Sequence, residues 1–501
     1  MKPAALERLR ERLGQIADLQ MTERLLDWDQ QVMMPPGGID ARARQIEVLH
    51  RLSHEMFISE ETGDLLAEVA PLADSLPADD LDGCLVRVTQ RDYDKAVRVP
   101  PALAAELARV GSEAQQAWAE ARENDDYAAF SPWLERTLEL KLRYAACFDG
   151  ADDPYDHYLD DFEQGMKTEE VRTIFARLKP ALIDLVQQYA TDEPDEPFVH
   201  GPFPAEPQHE LSLALMRAFG ADDLSFRLDP TVHPFCSSLS PTDVRLTTRY
   251  DVDDLHASSL FSTMHEVGHG LYERGVDPVL ERTPMGSGCS SILHESQSRL
   301  WENVIGRSLP FWRWFYPQTQ DAFPRALSGV SLERFHRAIN RPRRSLIRVD
   351  ADEMTYGLHI IIRFELEQDL LGGRLHPRDL PAAWNAAFEE TLHVPVPNDR
   401  VGCLQDVHWS AGLFGYFPTY QLGNVLSAQI WDVAGSEISD ATEQIARGDF
   451  GEIHAWLRDR VYRLGRRFSP SETIEHVVGG PLDPEPYLAY LEAKAGSLAP
   501  A

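Results

Sequence analysis

The segment Phe261–Tyr272 contains two histidines and a glutamate in the pattern H-E-x-x-H. On a helix, His265 and His269 lie one turn apart, so both imidazoles can reach one metal ion about 2.0–2.1 Å away. Glu266 lies beside them, where its carboxylate could take a proton from a metal-bound water molecule without binding the metal itself. The pattern indicates a zinc hydrolase, although two ordinary histidines on a helix would give the same letters.

A third ligand is needed, because catalytic zinc generally takes three protein ligands and leaves one position for water. Glu295 lies 26 residues after His269 in the helical segment Ser290–Val304, which leaves room for a second helix to reach the same ion. His294 competes with it. The H-E-x-x-H-x-x-G-x-x-H subclass is excluded, because its third histidine would fall at position 275, which is a glycine. We therefore predict His265, His269 and Glu295 as the metal ligands.

The residues around the motif favour a helix that could position these ligands. Four apolar residues form a stripe with helical spacing: Leu260, Met264, Val267 and Leu271. Asp253 or Asp254 could cap the start of this helix, and Gly275 could end it. Gly268 and Gly270 lower its helix propensity. Close-packed neighbours would account for both glycines, and so would a simple weakening of the helix end.

Most of the remaining chain has helical rather than alternating periodicity. Helices are predicted over Ala4–Asp18, Glu106–Asn124, Glu169–Tyr189, His209–Phe219 and Pro381–Thr391. Ser225–Tyr250 is instead rich in Pro, Thr, Val and Phe and predicts two or three short strands. We expect a mostly α fold with one small β-sheet directly before the motif helix. No compositional boundary divides residues 1–501, which predicts one domain that could form two lobes around a cleft.

Composition excludes several classes of protein. The net charge of −33 argues against binding to nucleic acid. No stretch has the roughly 18 uncharged apolar residues of a membrane span, and the charged N-terminal segment does not look like a signal peptide. The five cysteines include no C-x-x-C pair, which makes a cytoplasmic location the default expectation.

Several longer motifs occur in one order along the chain. They are WDQQVMMPPGG (Trp28–Gly38), HPF (His233–Phe235), DVRLT (Asp243–Thr247), HEVGH, HESQS (His294–Ser298), IRVDAD (Ile347–Asp352), GCLQDVHW (Gly402–Trp409) and GYFPTY (Gly415–Tyr420). Together they resemble the motif set of the carboxypeptidase Taq family of metallocarboxypeptidases. The resemblance extends from about Trp28 to past Tyr420 and covers most of the chain.

This resemblance implies a mostly helical, cleft-bearing fold similar to that of neurolysin and angiotensin-converting enzyme. It implies a homodimer that uses zinc or cobalt to remove single residues from peptide C-termini with broad specificity. Cleavage before a C-terminal proline or at acidic residues would be poor. His265, His269 and Glu295 match the family's metal ligands, and Glu266 matches its catalytic glutamate.

An exopeptidase of this kind must bind a free carboxylate, for which a bidentate arginine is the natural partner. Arg348 is our first candidate, followed by Arg245 and Arg249. Each could instead hold the fold together by pairing with a nearby carboxylate, at Asp243, Asp350 or Asp352.

Further side chains could assist the chemistry. His408 could donate a hydrogen bond to the oxyanion or to the substrate backbone, or be a core histidine. Tyr420, and after it Tyr416, lies in a predicted loop suited to cover the site, although a packing role would explain either phenol. Asp406 could orient an imidazole. Glu302 could do the same, but a solvated helix face explains its position more simply.

We predict a zinc metallocarboxypeptidase in which Glu266 assists attack by a metal-bound water. An oligopeptidase of similar fold is the nearest alternative, and a catalytically inactive helical metal-binding scaffold is an alternative from another class. The expected partners are peptides with a free C-terminus, without nucleic acid or membrane.

Overall fold

The computed structural model describes residues 4–151, 153–191 and 193–498 of the 501-residue chain. Helices dominate these residues, as the sequence predicts. The helices of the first half are α1 (Ala4–Val32), α2 (Ile39–Phe57), α3 (Glu60–Ser75), α4 (Leu81–Arg98), α5 (Pro101–Asn124), α6 (Tyr127–Ala145), α7 (Asp156–Asp160), α8 (Thr168–Tyr189) and α9 (Ala205–Phe219). Those of the second half are α10 (Ser259–Gly275), α11 (Ser291–Arg299), α12 (Leu309–Ala322), α13 (Pro324–Leu327), α14 (Leu332–Ile339), α15 (Tyr356–Leu371), α16 (Leu380–Leu392), α17 (Phe417–Glu437), α18 (Ala441–Arg447), α19 (Gly451–Arg460), α20 (Pro470–Val478) and α21 (Glu485–Leu498).

The helices form where apolar residues recur with a period near 3.6. In α8, for example, the buried residues Val171, Phe175, Leu178 and Leu182 follow that spacing. All five helices predicted from periodicity are present, with ends that differ from the predicted ones. The largest difference is at α1, which continues from the predicted end at Asp18 to Val32.

One three-stranded sheet interrupts the helices, in the segment predicted to form strands. Its strands are β1 (Phe226–Pro230), β2 (Cys236–Ser240) and β3 (Asp243–Thr248), in the order β1-β3-β2. Strand β3 pairs parallel with β1, Phe226 lying opposite Val244, and antiparallel with β2. Val244 and Leu246 are fully buried, which gives the sheet an apolar face.

A π-helical segment, Leu300–Ile305, follows α11 directly. Its i→i+5 bonding is seen where the amide of Gly306 donates to the carbonyl of Trp301 at 3.0 Å. Such segments are rare and often occur at functional sites. This one contains Glu302.

The chain divides into two compact units. The first comprises the described residues of Met1–Val97, Glu196–His336 and Ile430–Pro481. The second comprises those of Arg98–Asp195, Arg337–Gln429 and Leu482–Ala501. The arrangement of one domain with two lobes around a cleft stays a prediction.

Among the described residues, no two of the five cysteines form a disulfide. Within the described ranges, every helix is too short or too polar to cross a membrane.

Candidate active site

Helix α10 of the first unit carries His265, Glu266 and His269. The predicted apolar stripe of this helix is fully buried. Its start was predicted wrongly: Ser258 is the N-cap, and the first helical residue is Ser259. Asp253 and Asp254 lie in the preceding loop, where their amides donate to the Asp251 carboxylate.

Three predicted ligands converge within the first unit. The Nε2 atoms of His265 and His269 lie 3.7 Å and 3.6 Å from Oε2 of Glu295. Both distances exceed a normal hydrogen bond and approach the separation of about 3.4 Å between ligand atoms around tetrahedral zinc. Among the described residues, these three form the one group with metal-ligand geometry. The donor set of two imidazoles and a carboxylate therefore fits a divalent metal.

The glycines of the motif allow α10 to approach its neighbours closely. A Cβ atom on Gly268 would lie 2.5 Å from Cα of Ser298 and 2.6 Å from the carbonyl oxygen of Gln297, both on α11. A Cβ on Gly270 would lie 2.9 Å from the ring of Phe226 in β1. Close-packed neighbours therefore account for both glycines. Gly268 sets the distance between the helix with the two histidines and the helix with Glu295.

Glu302 supports the first imidazole. Nδ1 of His265 lies 2.9 Å from Oε2 of Glu302, whose side chain is 12% exposed. Burial alone would raise the pKa of Glu302, but the hydrogen bond from His265 and the positive charges of Arg299 and Arg307 lower it to about 2. The interpretation of Glu302 as part of a solvated helix face is wrong. Its ionised carboxylate fixes the His265 ring so that Nε2 faces Glu295.

His294 is not one of the three converging groups. Its Nδ1 lies 2.7 Å from Nδ1 of His269, and its Nε2 lies 2.7 Å from Oε1 of Glu273. His294 thus contacts the side of the His269 ring that faces away from Glu295. Burial, and then the nearby His294, hold the pKa of His269 well below its usual range. A low pKa keeps the ring neutral, as a metal ligand must be.

Arg299 contacts the third predicted ligand, Glu295, and was missed in the sequence. Its Nε donates to Oε1 of Glu295 at 2.6 Å, and its Nη1 lies 3.4 Å from Oε2 of Glu302. Oε1 of Glu295 is therefore occupied, and Oε2 is the atom that faces the imidazoles. The signal was present, because Arg299 stands four residues after one carboxylate and three before the other.

Glu266 is buried beside the ligands, with 6% of its surface exposed. Burial, and then the negative charges of Glu295 and Glu302, raise its pKa to about 7, against the lowering effect of His265. A carboxylate with a pKa in this range can both accept and release a proton near neutral pH.

The predicted substrate-binding residues belong to the second unit. Nε of Arg348 donates to Oδ1 of Asp406 at 3.0 Å, and Nε of Arg363 donates to Oδ2 at 2.7 Å. Burial alone would raise the pKa of Asp406, but the two guanidinium groups hold it well below its usual range. The Asp406 carboxylate thus pairs with two arginines, whereas we predicted that it orients an imidazole; Nδ1 of the His408 imidazole lies 3.8 Å from its Oδ1. Nothing in the sequence pointed to Arg363.

His408 and Tyr420 are neighbours in this unit, with Nε2 of His408 3.2 Å from the Tyr420 hydroxyl. The guanidinium carbon of Arg348 lies 5.1 Å from the centre of the Tyr420 ring. The prediction that Tyr420 lies in a loop is wrong, because α17 begins at Phe417. Tyr416 does lie in the preceding loop, and its ring stacks on that of His408 at 5.7 Å.

A buried carboxylate that the sequence did not reveal connects two of the motifs. Glu367 accepts hydrogen bonds from Trp409 Nε1 at 2.8 Å and from the amide of Gly415 at 3.0 Å. The Tyr155 hydroxyl lies 2.5 Å from the same carboxylate. Glu367 therefore anchors the loop that leads into α17.

The two alternative arginines have different surroundings. Arg245 makes a two-pronged pair with Asp243 at 3.0 Å, and its guanidinium carbon lies 4.3 Å from the centre of the Trp28 ring. These contacts match the expectation that it holds the fold together. Arg249 is exposed.

Comparison with known proteins decides between the hydrolase classes that this geometry allows. The family model described as carboxypeptidase Taq (M32) metallopeptidase matches residues 8–495. The chain belongs to this family. Thermostable carboxypeptidase 1 of Thermus thermophilus is 42% identical over 508 residues, covering 99% of each chain. Carboxypeptidase 1 of Bacillus subtilis is 37% identical and covers 95% of this chain and 94% of the relative.

Solved structures of the carboxypeptidase Taq family share the fold. A carboxypeptidase from Deinococcus radiodurans has a TM-score of 0.96 with 41% identity and covers 99% of both chains. One from Pyrococcus furiosus has a TM-score of 0.95 with 33% identity and the same coverage. The protein is a metallocarboxypeptidase that acts on peptides. The predicted family and the mostly α fold with one small sheet are confirmed.

Proposed function

We propose that the protein releases single amino acids from peptide C-termini with broad specificity, using zinc, for which cobalt can substitute. The observation that carries this proposal is the convergence of His265, His269 and Glu295 on one point. A divalent ion bound there supplies Lewis acidity, which polarises the substrate carbonyl and acidifies a water molecule.

Glu266 acts in this proposal as the proton carrier. Its carboxylate takes a proton from the water that attacks the scissile carbonyl carbon. As the carbon–nitrogen bond breaks, it delivers that proton to the leaving amine. Its position directly after His265 on α10 and its burial beside the predicted ligands support the assignment.

Arg348 is proposed to bind the C-terminal carboxylate. Arg348 and Arg363 share the single carboxylate of Asp406, so this buried group carries one excess positive charge. An anion relieves such a charge. The Arg363 side chain is fully buried, whereas that of Arg348 is 8% exposed, which favours Arg348 as the contact. His408 and Tyr420 are proposed to donate hydrogen bonds to the oxyanion or to the substrate backbone.

The test is mass spectrometry of a peptide digested by the zinc-loaded protein, beside the same peptide with an amidated C-terminus. Successive single-residue losses from the free peptide alone are expected. Equal cleavage of the amidated peptide would favour an oligopeptidase. Zinc binding without cleavage of any peptide would favour a scaffold.

Glu266→Gln should abolish the hydrolysis. Arg348→Lys should raise KM more than it lowers kcat, and Arg245→Lys serves as its control.

We also propose a homodimer in a reducing cytoplasm. The likeness to the family supports the homodimer, and the five cysteines, which form no disulfide in the described residues, support the reducing cytoplasm. Sedimentation velocity over a range of protein concentrations tests the dimer.

A further inference from the structure

The two imidazoles of the proposed metal site are supported in different ways. His265 contacts a carboxylate directly at Glu302, whereas His269 contacts a second histidine, His294, which in turn contacts Glu273. We propose that His294 and Glu273 form a positioning pair that fixes which ring nitrogen of His269 is free to bind metal. This inference rests on the proposed metal site and concerns residues outside the ligand set.

The hydrogen-bond chain has one arrangement that leaves His269 able to bind metal. The Glu273 carboxylate accepts from Nε2–H of His294 at 2.7 Å. Nδ1 of His294 is then an acceptor, and it receives Nδ1–H of His269 at 2.7 Å. The lone pair of His269 Nε2 is left on the side of Glu295, 3.6 Å from Oε2. The reverse arrangement would put a proton on that nitrogen and block metal binding.

The surroundings of His294 hold its ring in this orientation. Oε1 of Glu273 also accepts a hydrogen bond from the amide of Gly288 at 2.9 Å. A Cβ atom on Gly288 would lie 2.6 Å from Cδ2 of His294, so only glycine leaves room for the ring. The Tyr272 ring lies against the His294 imidazole, with the two ring centroids 5.2 Å apart. The glycine-rich turn between the two helices is thus folded around the His294 side chain.

The pair also bridges the two helices that must meet at the site. Glu273 stands four residues after His269 on α10, so both face the same side of that helix. His294 reaches between them from α11, where it directly precedes the third ligand, Glu295. A loss of this bridge would free the His269 ring to rotate about its side-chain torsions. Metal affinity would fall even if the helices kept their fold.

The experiment compares zinc affinity, measured by competition with a chromophoric chelator, in wild type, His294→Ala, Glu273→Ala and Glu273→Gln. Both alanine variants should bind zinc about 10- to 100-fold more weakly, the usual loss when a partner of a ligand histidine is removed. Glu273→Gln should lose less, because its amide oxygen can still accept from His294. The visible absorption spectrum of the cobalt-loaded protein should change in both alanine variants, since the geometry at His269 changes.

His209→Ala is the matched control. His209 is a part-buried histidine of the same unit whose Nδ1 lies 2.7 Å from the Tyr250 hydroxyl, so the change to alanine removes one comparable hydrogen bond. Its zinc affinity and cobalt spectrum should equal those of wild type. Thermal unfolding of the metal-free proteins reports any purely structural effect separately.

The inference is overturned if folded His294→Ala binds zinc within about twofold of wild type and its cobalt spectrum is unchanged. If that variant does not fold, an unchanged affinity and spectrum in Glu273→Ala overturn it equally. The proposed function fails differently, through a wild type that binds zinc but releases no amino acid.

Discussion

Replacing Gly268 by alanine tests whether the contact between α10 and α11 sets the geometry of the metal site. The added Cβ would lie 2.5 Å from Cα of Ser298, whereas non-bonded carbon atoms approach to about 3.5 Å. The helices must therefore separate by about 1 Å at this point. Metal–ligand distances tolerate only about 0.2 Å, so Glu295 would leave bonding distance of the two imidazoles.

The effect on stability should be smaller than the effect on metal binding. Overpacking costs about 1–3 kcal/mol, and the higher helix propensity of alanine returns about 1 kcal/mol. The net loss of about 0–2 kcal/mol leaves a protein of ordinary stability folded. Zinc affinity should fall by about 10- to 100-fold or more, because removal of a residue that only contacts a ligand already costs that much.

The assay is zinc competition against a chelator, with thermal unfolding of the metal-free proteins measured in parallel. Gly435→Ala is the control. Gly435 lies exposed near the end of α17, and a Cβ there would meet nothing within 4 Å. That variant should gain up to about 1 kcal/mol and keep its zinc affinity. If Gly268→Ala binds zinc as tightly as wild type, the helix contact does not position Glu295.

Three further changes have defined outcomes. Glu302→Gln keeps an acceptor for His265 but loses the negative charge, so its zinc affinity should fall by up to about 10-fold. Glu302→Ala should lose more affinity, because it keeps no acceptor. If chelator competition gives both variants the zinc affinity of wild type, Glu302 does not support His265. Burial raises the pKa of Glu367 to about 7, above about 4.3 in the unfolded chain. Its contribution to stability is therefore fully present below pH 4 and is lost as the pH rises through 7. We expect the unfolding free energy of wild type minus that of Glu367→Gln, measured by urea unfolding, to fall by about 3 kcal/mol between pH 4 and pH 7. A difference that does not change with pH would show that Glu367 does not change its protonation state in this range. Zinc at 100 times its Kd should stabilise the protein by about 2.7 kcal/mol over the chelator-treated form, and Glu295→Ala should show no such difference in thermal unfolding.

The sequence predicted those features that depend on local pattern. The helix with His265 and His269 follows from the spacing of its apolar residues, and the small sheet follows from a change in composition. Glu295 was predicted as the third ligand because metal chemistry demands a carboxylate or an imidazole within reach of the first two, and the structure brings it beside His265 and His269. Glu295 was the better placed of two adjacent candidates.

The wrong predictions concern residues whose environment is set by contacts with distant parts of the chain or by the local turn. Glu302 was interpreted as solvated because its neighbour His265 is 37 residues away in sequence. Tyr420 was assigned to a loop because the segment contains glycine and Pro418. Proline nevertheless fits the first turn of a helix such as α17, because amide groups there make no hydrogen bond within the helix. Asp253 and Asp254 have the residue type of helix caps, but the turn at Asp251 uses their amides.

The π-helical segment determines which arginines can reach Glu302. Residues five apart point about 140° away from each other around an α-helix. The wider i→i+5 turn of Leu300–Ile305 changes the direction in which the chain leaves the helix, and Nη2 of Arg307, in the turn that follows, lies 3.5 Å from Oε1 of Glu302. Deleting one residue between Leu300 and Ile305 would let regular α-helical bonding resume and rotate Arg307 away from that carboxylate. The π-helical segment therefore brings Arg307, which lies in the turn before α12, to the carboxylate that contacts the imidazole of His265.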